Sequence, residues 1–416
     1  MPAPPRFAAL HVRDYRRYFV TSLLAMTADS VEHVISYWVI FQTFHSPTLA
    51  GFAVISHWLP FLLFSVSMGA LADRRDCRAL IQAGQALYVL ASAAWGVLFL
   101  TGALEVWHAV VILLVHGVAG VVGGPAAQLI LHDMVGAEHL HSAVRLTASS
   151  RHLAILLGPA IGGGLMLALG PAWGILANVL LYAPLTVLLL RVPYTGHLRR
   201  DGERPGARVR GLADVARVVR AAADDRRVLT MILLGAATSL FVGNAFQAQM
   251  PEYAHDLGTD EGGARYSVLL AANAAGAVLG AVLLETAHVL RPGVRAAIGC
   301  AAAWGVTIGL FAVTRSYPLA VALLAVNGVF NIAFTSMAQT LVQLLAAPAL
   351  RGAMVGLFNT AMLGLRAGSG VTVGVLGAAI GIHASLVVSA GAVVATAAAL
   401  LVFAVRPPRR GAGVSA

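Results

Sequence analysis

Three ionisable side chains lie within about one turn of each other in an apolar stretch near the start of the sequence. Asp29, Glu32 and His33 are spaced so that Asp29 shares a helix face with each of the other two. Two carboxylates held close together resist being ionised at the same time, and an imidazole beside them can share the proton. The group can therefore hold and release a proton. A permanent ion pair with Arg366 and a direct contact with a bound substrate are the alternatives.

Other ionisable residues interrupt apolar stretches further along the chain. An imidazole at His116 can titrate near neutral pH or simply pack. Arg151 and Arg366 could neutralise the first acids, guide an anionic substrate or form a buried ion pair. The residue types predict proton coupling at four positions and buried charge partners at two: Asp29, Glu32, His33 and His116, then Arg151 and Arg366.

The composition indicates where these residues must lie. Of 416 residues only 11% are charged and 59% are hydrophobic, whereas a soluble globular protein carries about 25% charged residues. There is too little charge to cover a soluble surface, and too much apolar side chain for a disordered chain. The chain is therefore predicted to be a polytopic membrane protein. Its membrane segments must be helices, because backbone groups in lipid need partners within their own segment.

Twelve apolar segments are long enough to cross a bilayer, which takes about 20 residues of helix. Charge clusters and turn residues separate them into residues 17–43, 48–71, 79–101, 106–128, 143–169, 172–191, 228–250, 264–287, 294–314, 318–341, 352–381 and 383–405. We therefore predict twelve transmembrane helices.

The arginines indicate the orientation. The net charge is +10, and all 28 basic residues are Arg. Most of them lie in connections on one side of the predicted membrane, whereas the connections on the other side hold only Arg265 and Arg315. Because positively charged loops stay in the cytoplasm, both termini are expected there. The charge is thus a topology signal, and no nucleic-acid partner is expected.

The two halves of the chain resemble each other at an offset of 210 residues. Four identities fall at this offset, namely Leu140 with Leu350, Ala143 with Ala353, Gly158 with Gly368 and Gly164 with Gly374. Parallel repeats of six helices are known for one large transporter class. We predict one bundle over residues 1–191, a cytoplasmic linker over 192–227 and a second bundle over 228–416. Apolar residues at helical spacing from Leu212 to Val219 indicate an amphipathic helix or a solvated connection.

The loop between the second and third predicted helices combines a glycine, acids and arginines. It reads Gly69-Ala70-Leu71-Ala72-Asp73-Arg74-Arg75-Asp76-Cys77-Arg78. This string resembles a signature of the major facilitator superfamily, with Asp76 where that family usually has glycine. Through the number of helices and the duplication, the resemblance covers the whole chain. It implies the major facilitator fold, an all-α membrane protein of twelve transmembrane helices in two pseudo-symmetric six-helix bundles.

In that family the acid of this loop contacts the neighbouring half and latches one access state. Carried over, the resemblance implies that Asp73 is a conformational latch, with Gly69, Arg74 and Arg78 beside it. An incidental acid in a positively charged loop is the alternative.

The fifth predicted helix carries a second family string, Gly158-Pro159-Ala160-Ile161-Gly162-Gly163. Proline frees a backbone carbonyl and the glycines permit a bend against a neighbouring helix. The string is similar to the antiporter motif of the superfamily's exporters, which implies outward transport through Gly158, Pro159, Gly162 and Gly163. A kink that serves packing alone is the alternative. Pro125-Ala126 and Leu131-His132-Asp133-Met134-Val135 also resemble the macrolide and siderophore exporters, although His132 replaces their usual proline.

The resemblance also implies which helices line a substrate cavity, namely the first, fourth, seventh and tenth. Their amide and aromatic residues would suit a bulky amphipathic molecule. Amides also join helices to one another, which is the alternative for each. The predicted cavity residues are Tyr37, Trp38, Phe241, Asn244, Gln247, Asn327 and Asn331.

These observations predict a secondary active efflux transporter of the drug, macrolide or siderophore exporter kind. It would exchange protons for an amphipathic organic compound (a drug, siderophore or metabolite) by alternating access. Proton-coupled uptake of a small organic solute and a non-transporting membrane receptor on the same fold are the alternatives.

No enzymatic activity and no cofactor are predicted, since a phosphate-binding loop needs a lysine and the chain has none. A polar group matches no metal template, so no metal is expected at His132, Asp133, Glu138, His139 and His141. Cys77 and Cys300 are expected to be free thiols. We expect a monomer in the bacterial cytoplasmic membrane whose partners are the small organic substrate, protons and the lipid bilayer.

Overall fold

The structure, a computed structural model, describes residues 7–198, 212–258, 263–286, 293–346 and 350–405. These residues form helices and connections, with no β-strand among them. The N-terminal half contains α1 (Arg13–Phe44), α2 (Pro47–Ala72), α3 (Cys77–Thr101), α4 (Val106–Asn178) and α5 (Ala183–Arg191). The C-terminal half and the segment before it contain α6 (Leu212–Asp224), α7 (Arg226–Phe241), α8 (Ala245–Ala248), α9 (Met250–Asp256), α10 (Ala264–Thr286), α11 (Val294–Val313), α12 (Tyr317–Leu345), α13 (Arg351–Asn359), α14 (Arg366–Ser369), α15 (Leu376–Ile380) and α16 (Ile382–Val405).

Helix α4 is too long for one crossing and is divided by two glycines. Gly136 has φ 70° and Gly170 has φ 74°, which is the left-handed region that glycine enters without a Cβ clash. The chain therefore turns sharply at residues 136 and 170. These turns divide α4 into a fourth crossing, a fifth crossing and the start of a sixth, which continues through α5.

Twelve crossings result, as predicted. Ten segments of the described chain are long and apolar enough to span a membrane, and one of them, residues 153–191, contains the turn at Gly170 and so counts as two. The first crossing, α1, is less apolar because its middle carries Asp29, Glu32 and His33. The predicted all-α fold of two six-helix bundles is confirmed.

Local sequence explains where several helices begin. The Ser46 hydroxyl accepts a hydrogen bond from the Leu49 backbone N–H at 3.3 Å, and Pro47 occupies the first position of α2. Asp225 caps α7 in the same way, accepting from the backbone of Arg227 at 2.8 Å. A capping side chain satisfies a backbone donor that the helix leaves free, and proline fits the first turn because it lacks that donor.

The eleventh crossing is irregular in its middle. Residues Thr360–Gly364 and Gly370–Val375 are π-helical, and α14 lies between them. A π-helical turn inserts an extra residue and is frequent at functional sites. Arg366 is the first residue of α14, so the irregularity surrounds the one charged residue of this crossing.

The apolar cores differ between the two ends of the bundle. We call the end where α1 begins and α2 ends the terminal face, and the other end the opposite face. Two separate cores lie toward the terminal face, one in each half, containing Tyr15 and Ile130 in the first and Met231 in the second. A single core that includes Trp38 and Tyr266 joins both halves toward the opposite face. The halves are therefore packed together at the opposite face.

The segment after the sixth crossing is fastened to the terminal face. The backbone of Cys77 donates to Thr195 at 2.8 Å, and the Tyr194 hydroxyl donates to Asp14 at 2.8 Å. The predicted linker then continues through residues 199–211, which lie outside the described residues. It ends in α6, where Val218 is buried and Val219 is exposed, as in an amphipathic helix at an interface.

Candidate functional site

Glu32 lies inside the N-terminal half, with 2% of its surface exposed. Its Oε1 is 2.8 Å from Nδ1 of His116, and its Oε2 accepts a short hydrogen bond from the Ser92 hydroxyl. The three side chains come from α1, α3 and α4. Two donors stabilise a carboxylate that burial has removed from water.

His116 lies between the two acids of α1. Its Nε2 is 2.9 Å from Oδ1 of Asp29, while its Nδ1 faces Glu32. The contact with Asp29 is short but poorly aligned, so these two atoms lack a hydrogen bond of good geometry. Opposite charges at this distance attract each other even where the hydrogen-bond alignment is poor. An imidazole that faces a carboxylate on each side is best satisfied as the imidazolium, which donates from both nitrogens.

His33 and His57 extend this group of side chains. The His33 ring is 4.7 Å from that of His116 and 4.9 Å from that of His57, centroid to centroid. His33 Nδ1 lies 2.8 Å from the backbone oxygen of Asp29, and His57 Nδ1 is buried without a hydrogen-bond partner among the described residues. We call Asp29, Glu32, His33, His57 and His116 the acid–histidine cluster. The structure thus brings together all four residues for which we predicted proton coupling.

The three histidines of the cluster also form a candidate metal site by their spacing. One nitrogen from each of its three histidines lies within 4.8 Å of the others, a spacing from which a metal ion could in principle be held. However, His116 uses both nitrogens toward the acids, and His33 Nδ1 faces a backbone oxygen. A metal ligand needs a free nitrogen lone pair. Binding a metal here would therefore require the network to be taken apart.

The two predicted charge partners do not pair with these acids. The Arg366 guanidinium lies 4.9 Å from the centre of the Trp58 ring. Arg151 is exposed, and its charge acts on both Arg366 and His57. Neither arginine forms an ion pair with a carboxylate of the described residues. His116 therefore occupies the position beside Asp29 and Glu32 for which Arg366 was the alternative.

The glycines of the fifth crossing allow it to lie close against α1 beside the cluster. A Cβ at Gly158 would collide with Ser30, the residue after Asp29, and a Cβ at Gly162 would lie 3.1 Å from Val34. A Cβ at Gly163 would lie 2.5 Å from the Ser267 hydroxyl in the other half. These glycines therefore permit two close helix contacts, one within the N-terminal half and one between the halves.

The loop at residues 69–78 is ordered by the acid that departs from the family pattern. Asp76 accepts a hydrogen bond from the Arg78 backbone at 2.9 Å, which caps α3, and its Oδ2 lies 2.6 Å from the Arg78 side chain. The hydrogen bonds from Arg78 lower the pKa of Asp76. Asp73 ends α2, with its N–H donating to Gly69 at 3.0 Å, and Arg74 is exposed. Asp76 thus caps α3 and binds Arg78 through its side chain, which a glycine at this position lacks.

Two of the predicted cavity residues have other roles. Trp38 is buried and stacks on Tyr266 at 5.4 Å between ring centres. Asn327 is fully buried, and its amide donates to Thr307 and to the backbone of Trp304 at 3.0 and 3.1 Å. We therefore correct these two assignments: Trp38 closes the opposite face, and Asn327 joins helices α11 and α12. Trp38 is aromatic and Asn327 is an amide, and neither residue type distinguishes a cavity wall from a helix contact.

The remaining predicted cavity residues are all half-buried, namely Tyr37, Phe241, Asn244, Gln247 and Asn331. Tyr37 touches the acid–histidine cluster, with its ring 5.2 Å from that of His33. Asn244 donates to the Gln247 side chain at 3.0 Å, so the two amides form one polar patch on the seventh crossing.

The sequence did not point to Ser92 or Trp58, which contact the charged groups directly. A lone serine or tryptophan in an apolar helix carries no pattern that predicts its partner. His57 had a weak signal, as an ionisable residue at membrane depth. The polar residues His132 and Asp133 belong to the terminal face, where Asp133 accepts hydrogen bonds from Gly196 and Leu198 at 2.7 and 3.1 Å.

Sequence and structure comparisons place this architecture among known transporters. The profile of a family described as "Transmembrane secretion effector" matches residues 5–413. A comparison with curated protein sequences gave no match.

Several solved transporters have a similar fold. A bacterial homologue of the human lysosomal transporter Spinster, in an inward-facing and unoccupied conformation, is 15% identical with a TM-score of 0.67, and the alignment covers 97% of this chain and 96% of that one. The nucleoside transporter NupG is 14% identical with a TM-score of 0.71, over 95% of this chain and 100% of its own. A D-xylose–proton symporter is 16% identical with a TM-score of 0.65, over 96% and 98%. At these identities the likeness is one of fold.

Proposed function

The chain belongs to the transmembrane secretion effector family of the major facilitator superfamily, and on that basis we propose that it is a proton-coupled efflux transporter for an amphipathic organic compound. As a multi-pass membrane transporter it needs no catalytic residues, and alternating access of its two halves would move the cargo. The observation that carries the proposal is the row of carboxylate, imidazole and carboxylate formed by the half-buried Asp29 and the buried His116 and Glu32.

This row of three side chains is suited to binding and releasing a proton. With both acids ionised and His116 protonated, the three residues carry one net negative charge inside the membrane, which is unfavourable in a medium of low polarity. One further proton on Asp29 cancels this charge and releases His116 from that side. Losing the proton restores the contact. Each step therefore changes how α1 is held against α4.

The direction of transport is proposed from the fifth crossing and from the family. Gly158 brings this crossing against Ser30, next to Asp29, so a proton at Asp29 can affect the helix that carries the exporter motif. The description of the family as a secretion effector also supports export. We place the chain with the drug, macrolide and siderophore exporters, which are drug–proton antiporters.

The arrangement of the cores supports a state that can load cargo from the terminal face. The halves, proposed as residues 1–191 and 228–416, share a core at the opposite face and have separate cores at the terminal face. The Tyr266 hydroxyl donates to the Val34 backbone oxygen at 3.1 Å, which links the halves at the opposite side. With both termini in the cytoplasm of a bacterial cell, as we propose, cargo would enter from the cytoplasm or inner leaflet. We propose that a monomer performs this cycle, with Asp73 latching one of its states.

Proton-coupled uptake is the second candidate, and one observation favours it. Arg151 and Arg366 have no carboxylate partner among the described residues, so an anionic substrate could bind between them. An anion there and a proton on Asp29 would stabilise one another by opposite charge, which is the electrostatic requirement for moving them together.

Reconstitution into liposomes with an internal pH-sensitive dye separates these candidates. A panel of an anionic, a neutral and a cationic fluorophore (fluorescein, a coumarin and ethidium) would be followed under an imposed proton gradient. Exporter activity predicts that at least one fluorophore moves against the proton flow. Movement of a fluorophore in the same direction as the protons indicates symport. A protein that moves neither fluorophores nor protons is a receptor.

The coupling residues are tested in the same vesicles. Asp29→Asn and Glu32→Gln should each abolish proton-driven movement by the fraction of the protein that remains folded, and Glu105→Gln is the matched control. Glu105 is an exposed acid in the loop before α4, outside the cluster. If both cluster variants transport normally, the coupling assignment is wrong.

A further inference from the structure

Arg366 lies at membrane depth, and no carboxylate of the described residues pairs with it. It lies on α14, between the two π-helical segments of the eleventh crossing, and its guanidinium rests 4.9 Å over the Trp58 ring. The aromatic face provides a cation–π contact and leaves the five N–H donors of the guanidinium without an acceptor among the described side chains. Arg366 is half-buried, and a guanidinium withdrawn from water normally finds a carboxylate or phosphate that its planar donors match.

Arg151 brings a second positive charge to the same place. It lies on the fifth crossing, level with Met26, since Met26 contacts the neighbouring Ser150. Its side chain is exposed, and its charge acts on Arg366 in the other half and on His57 in α2. Two like charges with no anion between them repel each other. The fold holds them there with no ion-pair partner among the described residues.

The surroundings of the two arginines have the composition of a small-molecule site. Trp58 is 8% exposed, Arg366 covers its ring face, and the ring of His57 lies 4.8 Å from it. His57 Nδ1 is buried without a hydrogen-bond partner among the described residues. The two acids of α1, Asp29 and Glu32, already contact His116 and Ser92. The site therefore has positive charge, one free polar atom and an aromatic ring.

From this geometry we propose that the cargo is an amphipathic organic anion whose acidic group binds between Arg151 and Arg366. A carboxylate, sulfonate or phosphate would accept hydrogen bonds from both guanidinium groups, and its apolar body would lie in the space between the halves. The proposal rests on the proposed function only in placing cargo between the halves. It requires neither the proton coupling nor the direction of transport.

Binding can be measured on the purified protein by thermal unfolding with a thiol-reactive fluorophore. The assay uses the two buried cysteines, Cys77 and Cys300, which react when the protein unfolds. Naphthalenesulfonate should raise the unfolding temperature with increasing concentration, because a ligand that binds only the folded state stabilises it. Naphthalenesulfonamide has the same shape without the charge, and we expect it to bind at least about tenfold more weakly.

Variants then test the two arginines. Arg366→Gln and Arg151→Gln should each reduce the apparent affinity for naphthalenesulfonate by about tenfold or more, and Arg366→Lys by less, since it keeps the charge but not the planar donors. Arg265→Gln is the matched control, because Arg265 lies at the opposite face over Tyr317. Equal stabilisation by the sulfonate and the sulfonamide, or binding that survives Arg366→Gln, would overturn the proposal.

Lipid headgroups also carry phosphate groups, so lipid binding is tested in a separate experiment. The measurement is repeated in nanodiscs of phosphatidylcholine and of phosphatidylglycerol. Stabilisation by phosphatidylglycerol that depends on Arg366, with no response to naphthalenesulfonate, would show a lipid site and contradict the assignment of a cargo. Failure of proton-driven transport in liposomes leaves these results unchanged, so the two proposals can fail separately.

Discussion

His116 Nδ1 lies 2.8 Å from Oε1 of Glu32, in a pair that joins the fourth crossing to the first, and both side chains are almost fully buried. Asp29 approaches the other nitrogen of the same ring. One imidazole thus determines how two acids of α1 are held. The same helix contacts the other half, where Val34 and Trp38 meet Tyr266.

This pair should show a large coupling energy. Breaking a buried ion pair by removing one partner costs about 3–5 kcal/mol, because the other charge is left uncompensated. We expect Glu32→Gln or His116→Gln alone to destabilise strongly, and the double variant to lose clearly less than the sum of the two. Unfolding in detergent mixtures would give the three free energies.

Glu138 and His139 provide the matched control for this cycle. Their side chains lie 3.4 Å apart at the terminal face and are 80% and 31% exposed. Exposed pairs contribute little, so the corresponding Gln variants should add within about 0.5 kcal/mol. Additive behaviour at Glu32 and His116 would show that the two do not interact.

The closed opposite face can be forced apart at one glycine. Gly163 meets Ser267 of α10, and a Cβ there would lie 2.5 Å from the hydroxyl, so valine needs the halves to separate. We expect Gly163→Val to lengthen the distance between spin labels at residues 104 and 315, one in each half at this face. Pulsed electron paramagnetic resonance would measure that distance. Gly164→Val adds the same side chain where nothing lies within 4 Å of the new Cβ, and it should leave the distances unchanged. If the distance lengthens in both variants, the contact between Gly163 and Ser267 is not the cause.

Much of the fold could be predicted because the membrane restricts the choices. A charged or flexible break every 20 to 25 residues defines a crossing almost regardless of tertiary contacts. The turns at Gly136 and Gly170 were visible as breaks between segments. The π-helical segments around Arg366 were not, since local sequence contains no signal for an extra residue per turn and the packing of neighbouring helices determines it.

The residues of the candidate site could be predicted from the sequence, but the contacts between them could not. Asp29, Glu32, His33 and His116 stood out because lipid makes ionisable residues rare. Which of them touch depends on how α1, α3 and α4 are rotated, and the sequence does not reveal that rotation. Ser92 and Trp58 were missed for the same reason. Asn327 was assigned to the cavity from its helix number, whereas its amide binds Thr307 within the C-terminal half.

Asp76 should contribute to stability as a cap and as the partner of Arg78. Replacing a capping Asp with Ala costs about 0.5–2 kcal/mol. Because the pKa of Asp76 is lowered in the folded protein, its contribution is present above the ordinary value and is lost as the pH falls through the folded value. We expect Asp76→Ala to be destabilised at pH 7 and to approach the wild type in strong acid. Glu138→Ala, at an exposed acid, should show no such difference at either pH.

Glu252 is the acid for which we expect the opposite pH dependence. It lies on α9 outside the crossings, where burial raises its pKa to about 7, the charge of Asp256 adds to the shift, and His383 opposes it. Asp256 and His383 are themselves paired at 2.9 Å. The neutral form of Glu252 is thus the one that the folded protein favours.

An acid with a raised pKa stabilises the fold below its ordinary value of about 4.3, and this contribution disappears as the pH rises through the folded value. We therefore expect the wild type to lose thermal stability between pH 5 and 8 relative to Glu252→Gln, whose amide imitates the neutral acid. Asp256, His383 and His255 are present in both proteins, so the difference between the two unfolding curves isolates Glu252. Glu105→Gln, at an exposed acid of the same face, should run parallel to the wild type. Parallel curves for Glu252→Gln as well would mean that Glu252 titrates as an ordinary surface acid.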